Sequence, residues 1–241
     1  MNGPIRTMRR GGRPGRLPLG TARYRDILLV VLTLTTGALD AVTFLRLGNV
    51  FSSVITGNLV LLGVAAGQQD ATLALNAGLA LAGYAGGVLA GAALAGTPEL
   101  GQPVWPVQVT RTLAVESGVL AAFSGEWLAA GGHPAGASRL ALLLLAAAAM
   151  GLQGTAVRRL GPMSTTYLTS TLTGIITAIA LRRRAADWQR STGILITAVT
   201  GAALGTLAAL WSARWAAAAV LIPIAAVLAG SLAIARRSPS R

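Results

Sequence analysis

Eight long apolar segments dominate the sequence and limit what the chain can fold into. They lie near residues 27–45, 50–67, 72–95, 109–130, 139–157, 163–181, 191–211 and 216–235. Each has about 18–24 residues, and about 20 apolar residues cross a bilayer core as a helix. Helices are expected because no water is available there to bind the backbone, and the short alternating segments of a β-barrel are absent from the sequence. The sequence predicts an all-α, polytopic transmembrane bundle of six to eight spans, with eight preferred.

The composition agrees with a membrane protein. Only 11% of the 241 residues are charged and 54% are hydrophobic, whereas soluble domains have about 25% charged residues. The net charge of +13 could suit a nucleic-acid-binding protein. However, all 20 basic residues are Arg, and they lie mainly in the first 25 residues or between apolar segments. We therefore expect the lipid bilayer, and no nucleic acid, as a partner.

Several kinds of chemistry are excluded by the residues that the chain lacks. It has no Cys and a single His, His133, so thiolate catalysis, zinc–thiolate sites and His-based metal sites are excluded. No phosphate-binding loop, nucleophile elbow or His-Glu-Xaa-Xaa-His motif occurs. We expect no enzyme activity, no metal and no cofactor.

The chain divides into a basic tail, a membrane domain and a short basic end. Residues 1–25 are rich in Arg, Gly and Pro and are expected to be disordered and cytoplasmic. Residues 26–236 form one transmembrane domain, and 237–241 form a second basic tail. The first apolar segment is too long for a signal peptide and lacks a cleavage site, so it is expected to be retained.

The distribution of Arg predicts the orientation. If all eight segments cross and the N-terminus is cytoplasmic, the only Arg residues outside are Arg46, Arg111, Arg158, Arg159 and Arg214. This bias places both termini in the cytoplasm. An alternative has re-entrant hairpins at 27–67 and 139–181, which leaves six crossings and the same termini.

An internal repeat appears at an offset of 113 residues. Sliding the first hairpin forward aligns Leu47-Gly48 with Leu160-Gly161 and Thr56 with Thr169, without gaps. The repeats would be residues 27–130 and 139–235, with four segments each. An even number of spans per half predicts parallel rather than inverted repeats.

Asp40 is the clearest candidate for function. Carboxylates inside a membrane are costly and usually face a bundle interior or a water-filled cavity. If the first two segments form a helical hairpin, Thr56, Gly57 and Asn58 lie at the depth of Asp40, because each residue rises 1.5 Å in both helices. The alternative is a structural carboxylate that pairs with Arg46 or caps a helix.

The second repeat and the fourth segment supply further candidates. At the equivalent positions, Gln153, Thr169 and Thr171 would form a neutral polar cluster, either as half of an asymmetric binding site or as interhelical hydrogen-bonding groups. Glu116 is poorly spaced to pair with Arg111 on one helix. We expect it to face another helix or water and to belong to the candidate binding residues.

Gly83, Gly87 and Gly91 form a doubled GxxxG pattern in the third segment. Glycine at this spacing allows helix backbones to approach closely. The pattern predicts a packing face whose partner is either another helix of the chain or a second copy, so a homo-oligomer is possible.

The residues around Asp40 resemble a known family. The run from Thr36 to Leu45, followed by Leu47-Gly48, Val50-Phe51 and the Thr56–Gly63 block, is similar to the signature of the YoaK-like bacterial membrane proteins, a domain of unknown function. The context of Glu116 also resembles that family. The resemblance covers about residues 27–235. It implies a bacterial inner-membrane protein and names no substrate.

These observations favour a small-solute or ion transporter as the function. Asp40, with Glu116 as a second acid, would carry a proton or bind a cation. The alternative is a non-transporting scaffold or assembly partner that docks through Gly83, Gly87 and Gly91. An intramembrane enzyme is a third possibility, against which stands the lack of a paired nucleophile and base.

Overall fold

The protein is all-helical in the computed structural model, which describes residues 19–96, 103–160, 168–183 and 186–237. Within those ranges the chain forms eight α-helices, in agreement with the predicted all-α fold. They are α1 (Leu19–Arg46), α2 (Ile55–Gln68), α3 (Ala71–Ala95), α4 (Val107–Ala129), α5 (Gly136–Arg158), α6 (Leu168–Ala180), α7 (Ala186–Trp211) and α8 (Ala213–Arg237). Most of the basic tail expected to be disordered lies outside the described residues, but α1 begins inside it, at Leu19.

The helices differ in their ability to cross a membrane. By length and apolar character, α1, α3, α5, α7 and α8 could each do so. Helix α4 is long enough, at 23 residues, but it also carries Arg111, Glu116 and Glu126. Helices α2 and α6 have only 14 and 13 residues. They are therefore about 20 Å long, whereas the hydrocarbon core is about 30 Å thick.

Helices α3 and α5 pack closely and run parallel. A Cβ atom added to Gly83 would lie 2.7 Å from the Leu144 carbonyl oxygen, and one added to Gly87 would meet the backbone of Ala148. Because the residue numbers rise together along both helices, the two helices point in the same direction. Their close approach requires glycine at these positions.

Helices α1 and α7 form a second close, parallel pair. A Cβ atom on Gly201 would lie 2.5 Å from the Leu34 carbonyl oxygen, and one on Gly205 would lie 2.6 Å from Ala38. At the end of the pair, Arg46 donates a hydrogen bond of 3.1 Å to the Ala209 carbonyl of α7. Each pair therefore joins a helix of the first half to one of the second.

The remaining contacts define the two ends of the bundle. Arg25, near the start of α1, donates to the carbonyl of Leu160, just after α5, at 3.3 Å, so α1 begins where α5 ends. At the opposite end, the indole of Trp127 in α4 donates to the carbonyl of Ala213, the first residue of α8, at 3.1 Å. Helices α1 and α5 are the two most buried of the five apolar helices and form the centre of the bundle.

Candidate functional site

The chain between α1 and α2 is not helical and turns back against α1. Two serines in it surround the carboxylate of Asp40. Oγ of Ser52 donates to Oδ1 at 2.7 Å, the backbone N–H of Ser53 donates to Oδ1 at 2.8 Å, and Oγ of Ser53 donates to Oδ2 at 2.5 Å. Both serines are buried. Asp40 therefore joins α1 to the non-helical segment that leads into α2.

A buried asparagine satisfies the backbone of the same segment. Nδ2 of Asn58 donates to the carbonyl of Phe51 at 2.6 Å, and the N–H of Phe51 donates to Oδ1 of Asn58 at 3.0 Å. Non-helical backbone at membrane depth is tolerated only where protein or water satisfies it. Asn58 meets that requirement from the first turns of α2.

The turn after α1 depends on glycine. Gly48 has φ of +116° and the following Asn49 has φ of +59°, a left-handed conformation that glycine and asparagine adopt most readily. A Cβ atom on Gly48 would also collide with the side-chain amide of Asn76. That amide donates to the Gly48 carbonyl at 3.3 Å and so ties the turn to α3.

The neighbours of Asp40 differ from those we expected. The sequence predicted Thr56, Gly57 and Asn58 beside it, whereas the structure places Ser52 and Ser53 there. Thr56 is exposed and Gly57 is half-buried in the first turn of α2, and Asn58 binds Phe51. The expectation assumed a helical hairpin. The chain after Arg46 is not helical, and non-helical backbone can rise by up to about 3.3 Å per residue rather than 1.5 Å, so fewer residues are needed to return to the depth of Asp40. The signal for Ser52 and Ser53 was the internal repeat, in which they align with Thr165 and Thr166.

Neither alternative role for Asp40 matches the structure fully. Arg46 does not pair with Asp40, because its guanidinium donates to Ala209. Capping of a helix is closer to what is observed. Asp40 accepts the N–H of Ser53, the residue before the N-cap Val54 of α2, where a negative charge is favoured by the helix dipole.

Gln153 of α5 lies beside this cluster. Its Nε2 donates to Oγ1 of Thr36 at 2.7 Å, and both side chains are buried. Thr36 is four residues before Asp40 on α1, hence on the same helical face. The structure therefore brings Asp40 and Gln153 to neighbouring positions where α1 meets α5.

The other candidates of the second repeat lie on α6. Thr169 is exposed and its carbonyl accepts a hydrogen bond from Thr173, while Thr171 is half-buried. The residues aligned with Ser52 and Ser53, which are Thr165 and Thr166, lie outside the described residues. The predicted counterpart of the Ser52–Ser53 cluster in the second repeat therefore lies outside the described residues.

Glu116 forms a separate group. It is fully buried, and within the described part of the chain neither carboxyl oxygen has a hydrogen-bond partner. Helix α4 packs against α3, α5 and α8 there, and not against α1. Glu116 is thus a fully buried acid, away from the half-buried Asp40. Among residues 19–96, 103–160, 168–183 and 186–237, no group of three or more His, Cys, Asp or Glu could hold a metal ion.

Comparisons with known proteins agree with the resemblance. A family model described as "Protein of unknown function (DUF1275)" matches residues 28–233. The UPF0700 transmembrane protein YoaK of Bacillus subtilis (strain 168) is 36% identical over 163 residues, which cover 67% of this chain and 70% of that protein. No solved structure matches. The predicted resemblance to YoaK-like proteins is therefore confirmed.

Proposed function

The chain belongs to the DUF1275 family of membrane proteins, and we propose that it is a small-solute or ion transporter built from two inverted repeats. The site would lie where α1 meets α5, around Asp40, Ser52, Ser53 and Gln153. The observation that carries the proposal is the buried non-helical segment held by Asp40. Transporters of this architecture place solute and coupling-ion sites beside such interrupted helices, at the interface of the repeats.

Six crossings fit the helix directions better than the eight preferred from the sequence. Helix α1 ends and α3 begins at the same end of the bundle, as the hydrogen bond from Asn76 to Gly48 indicates. Residues 47–70 therefore enter and leave the membrane on one side, and the short helix α2 is half of a re-entrant segment. Likewise, α5 ends and α7 begins at the opposite end of the bundle. The short helix α6, which lies between them in the sequence, is then half of a second re-entrant segment.

The distribution of Arg supports this arrangement. With α1, α3, α4, α5, α7 and α8 as the crossings, only Arg46, Arg139 and Arg214 of the 20 Arg fall at the end where α1 finishes. That end is then the outer one, and both termini are cytoplasmic in a bacterial inner membrane. The pair Arg158-Arg159, which eight crossings would place outside, moves to the cytoplasmic end.

The contacts between helices support a duplication. Three interactions of α1 with α7 recur between α5 and α3 at an offset of 113 or 114 residues. The recurring pairs are Gly37–Ala198 with Gly151–Tyr84, Gly201–Leu34 with Gly87–Ala148, and Arg46–Ala209 with Arg159–Ala95. Three crossings per half make the repeats inverted, not parallel as an even number predicted.

The chemistry of the site suits a cation or a proton. Asp40 supplies a carboxylate, and the two serines supply hydroxyl oxygens that can turn from donors into ligands for a cation. The segment before α2 is held by hydrogen bonds to Asp40 and Asn58 and by the stacking of Phe51 on Phe44. Movement of this segment relative to α1 would open the site to one side at a time. Glu116 would carry a proton in the same cycle.

Transport can be tested with purified protein in liposomes. A panel of small cations, organic acids and neutral solutes is screened for uptake or for current on a solid-supported membrane. We expect Asp40→Asn to abolish the response that wild type gives, because the carboxylate is lost at the site. Thr200→Ala is the control, since Thr200 is exposed and its hydroxyl bonds within its own helix, to Ile196. Full uptake by Asp40→Asn would remove Asp40 from the mechanism.

The scaffold alternative loses its proposed docking face. Gly83, Gly87 and Gly91 are buried against α5 of the same chain, so they do not form a free surface. Association of two copies can still be measured by native mass spectrometry. Our proposal requires neither a partner protein nor catalysis.

A further inference from the structure

An open cavity of about 590 Å³ lies at the outer end of the bundle, between the end of α1 and the starts of α3 and α5. Its lining includes Phe44, Gly48, Asp70, Thr72, Asn76 and Arg139. The cavity adjoins the candidate site, because the ring of Phe44 stacks on that of Phe51 at 5.1 Å. Phe51 directly precedes the serines that bind Asp40. One aromatic pair thus lies between the cavity and the polar cluster.

Arg139 is an unpaired cation on the wall of this cavity. It is half-buried, its Nε is buried without a hydrogen-bond partner, and no ion pair forms with it in the described ranges. The other two Arg at this end differ, because Arg46 donates to Ala209 and Arg214 is exposed. Partial burial of a charge without a partner is unfavourable. An anion in the cavity would offset that cost.

Asn76, which also lines the cavity, has an unsatisfied acceptor. It is only 2% exposed, and its Nδ2 donates to Gly48, which fixes the orientation of the amide. Its Oδ1 is buried without a partner in the part of the chain that the structure describes. This oxygen can accept a hydrogen bond from an O–H or N–H group of a ligand.

Asp70 limits the charge of the ligand. Its carboxylate caps α3 by accepting the N–H groups of Thr72 and Leu73, both at 2.9 Å. A negative charge on the same wall disfavours an ion with several negative charges. Together, one guanidinium and one free amide oxygen favour a ligand with a single anionic group and a donor.

We propose that the cavity binds a small carboxylate that also carries a hydroxyl or amino group. The carboxylate would pair with Arg139, whose planar guanidinium matches it with two hydrogen bonds. The hydroxyl or amino group would donate to Oδ1 of Asn76. This inference names a substrate class and rests on the proposed transport function for the role of the cavity as the outer entry.

Binding is tested by calorimetry on the full chain in lipid nanodiscs, with glycolate and glycine as probes and with acetate and inorganic phosphate for comparison. We expect glycolate or glycine to bind at least about tenfold more tightly than acetate or phosphate, because a hydrogen bond to a buried, unpaired group is gained. Arg139→Gln should weaken binding by at least about tenfold, and Arg139→Lys should restore part of it. Arg214→Gln is the matched control and should bind as wild type.

The outcomes separate this inference from the proposed function. Failure of both probes, equal binding of acetate or phosphate, or undiminished binding by Arg139→Gln would overturn the inference. If uptake depends on Asp40 but binding does not depend on Arg139, the cavity loses its role and the transporter stands. If the probes bind through Arg139 and no solute is taken up, the cavity stands and transport fails.

Discussion

At the scale of single residues, the half-buried Asp40 and the fully buried Glu116 have opposite surroundings. Asp40 accepts three hydrogen bonds from Ser52 and Ser53, whereas neither oxygen of Glu116 has a partner in the described structure. The donors hold the carboxylate of Asp40 in place, whereas a carboxyl group without any partner is costly to charge inside a membrane. In the proposed transport the two acids therefore suit different tasks: Asp40 forms the site and holds its segment, and Glu116 carries a proton.

The hydrogen bonds to Asp40 should stabilise the folded protein measurably. Ser53→Ala removes one donor to the half-buried carboxylate of Asp40, and we expect the free energy of unfolding to fall by about 1–2 kcal/mol. Unfolding in mixed micelles, followed by tryptophan fluorescence, measures the change. Ser117→Ala is the control, because that hydroxyl bonds only within its own helix, to Leu113. Equal stability of the two variants would contradict the role of Ser53.

Replacement of Glu116 should separate function from stability. Glu116→Gln removes an ionisable group that has no hydrogen-bond partner among the described residues, so we expect the stability to be unchanged or increased. Uptake in liposomes should no longer respond to an imposed pH gradient. In contrast, Asp40→Asn should lower stability, since its carboxylate accepts three bonds. A clear loss of stability in Glu116→Gln would show that the carboxyl has a structural partner.

The sequence identified some of these residues and misplaced others, for a geometric reason. An ionisable group within an apolar segment is conspicuous, so Asp40 and Glu116 could be selected directly. The depth of Ser52 and Ser53 could not, because it depends on whether the chain after Gly48 is helical or extended. The left-handed conformation of Gly48 and Asn49 marks the point where the helix ends, and Asn76 of α3 ties this turn to a helix that local sequence patterns do not identify as its partner.

At the scale of helices, glycine determines which pairs approach closely. The face of Gly87 was predicted from its spacing, but its partner α5 lies about 60 residues further along the chain, and local sequence patterns carry no information on that pairing. The same limit applies to α2 and α6. Their residues are as apolar as those of full crossings, and only the directions of the flanking helices support the proposal that they do not cross.

Substitutions at these glycines should destabilise both helix pairs. Gly87→Ala and Gly201→Ala place a methyl group against the backbone of the facing helix, and we expect each to cost about 1–3 kcal/mol in the free energy of unfolding. Gly86→Ala is the control, because nothing lies within 4 Å of a Cβ atom there. Unfolding in mixed micelles compares the three. Similar losses at Gly87 and Gly201 would support the equivalence of the two pairs, and no loss at either would contradict the packing.

At the scale of the whole molecule, each half of the chain packs a central helix against a helix of the other half. Helix α1 packs with α7 of the second half, and α5 packs with α3 of the first. The central helices therefore each carry a polar group, Asp40 or Gln153, next to the interface of the repeats. If the halves are an inverted pair, as we propose, the protein would have two related conformations that open to opposite sides of the membrane. The sequence suggested a repeat, but the relation between its halves depends on the helix directions.

The arrangement of six crossings and two re-entrant segments can be tested without removing any native thiol, because the chain has no Cys. Gln69 and His133 are exposed, in the α2–α3 and α4–α5 connections. Six crossings place both outside, whereas eight place both in the cytoplasm. We therefore expect Gln69→Cys and His133→Cys to react with a membrane-impermeant maleimide added to intact cells.

Two positions provide the reference for this labelling, because both arrangements agree on them. Ser212→Cys, in the connection between α7 and α8, should react in intact cells, and Arg183→Cys should react only after permeabilisation. Arg158→Cys gives the reciprocal test in the second half, since six crossings place it in the cytoplasm and eight place it outside. If Gln69→Cys and His133→Cys behaved as Arg183→Cys does, α2 would cross the membrane. The inverted relation of the halves, and the site built on it, would then be wrong.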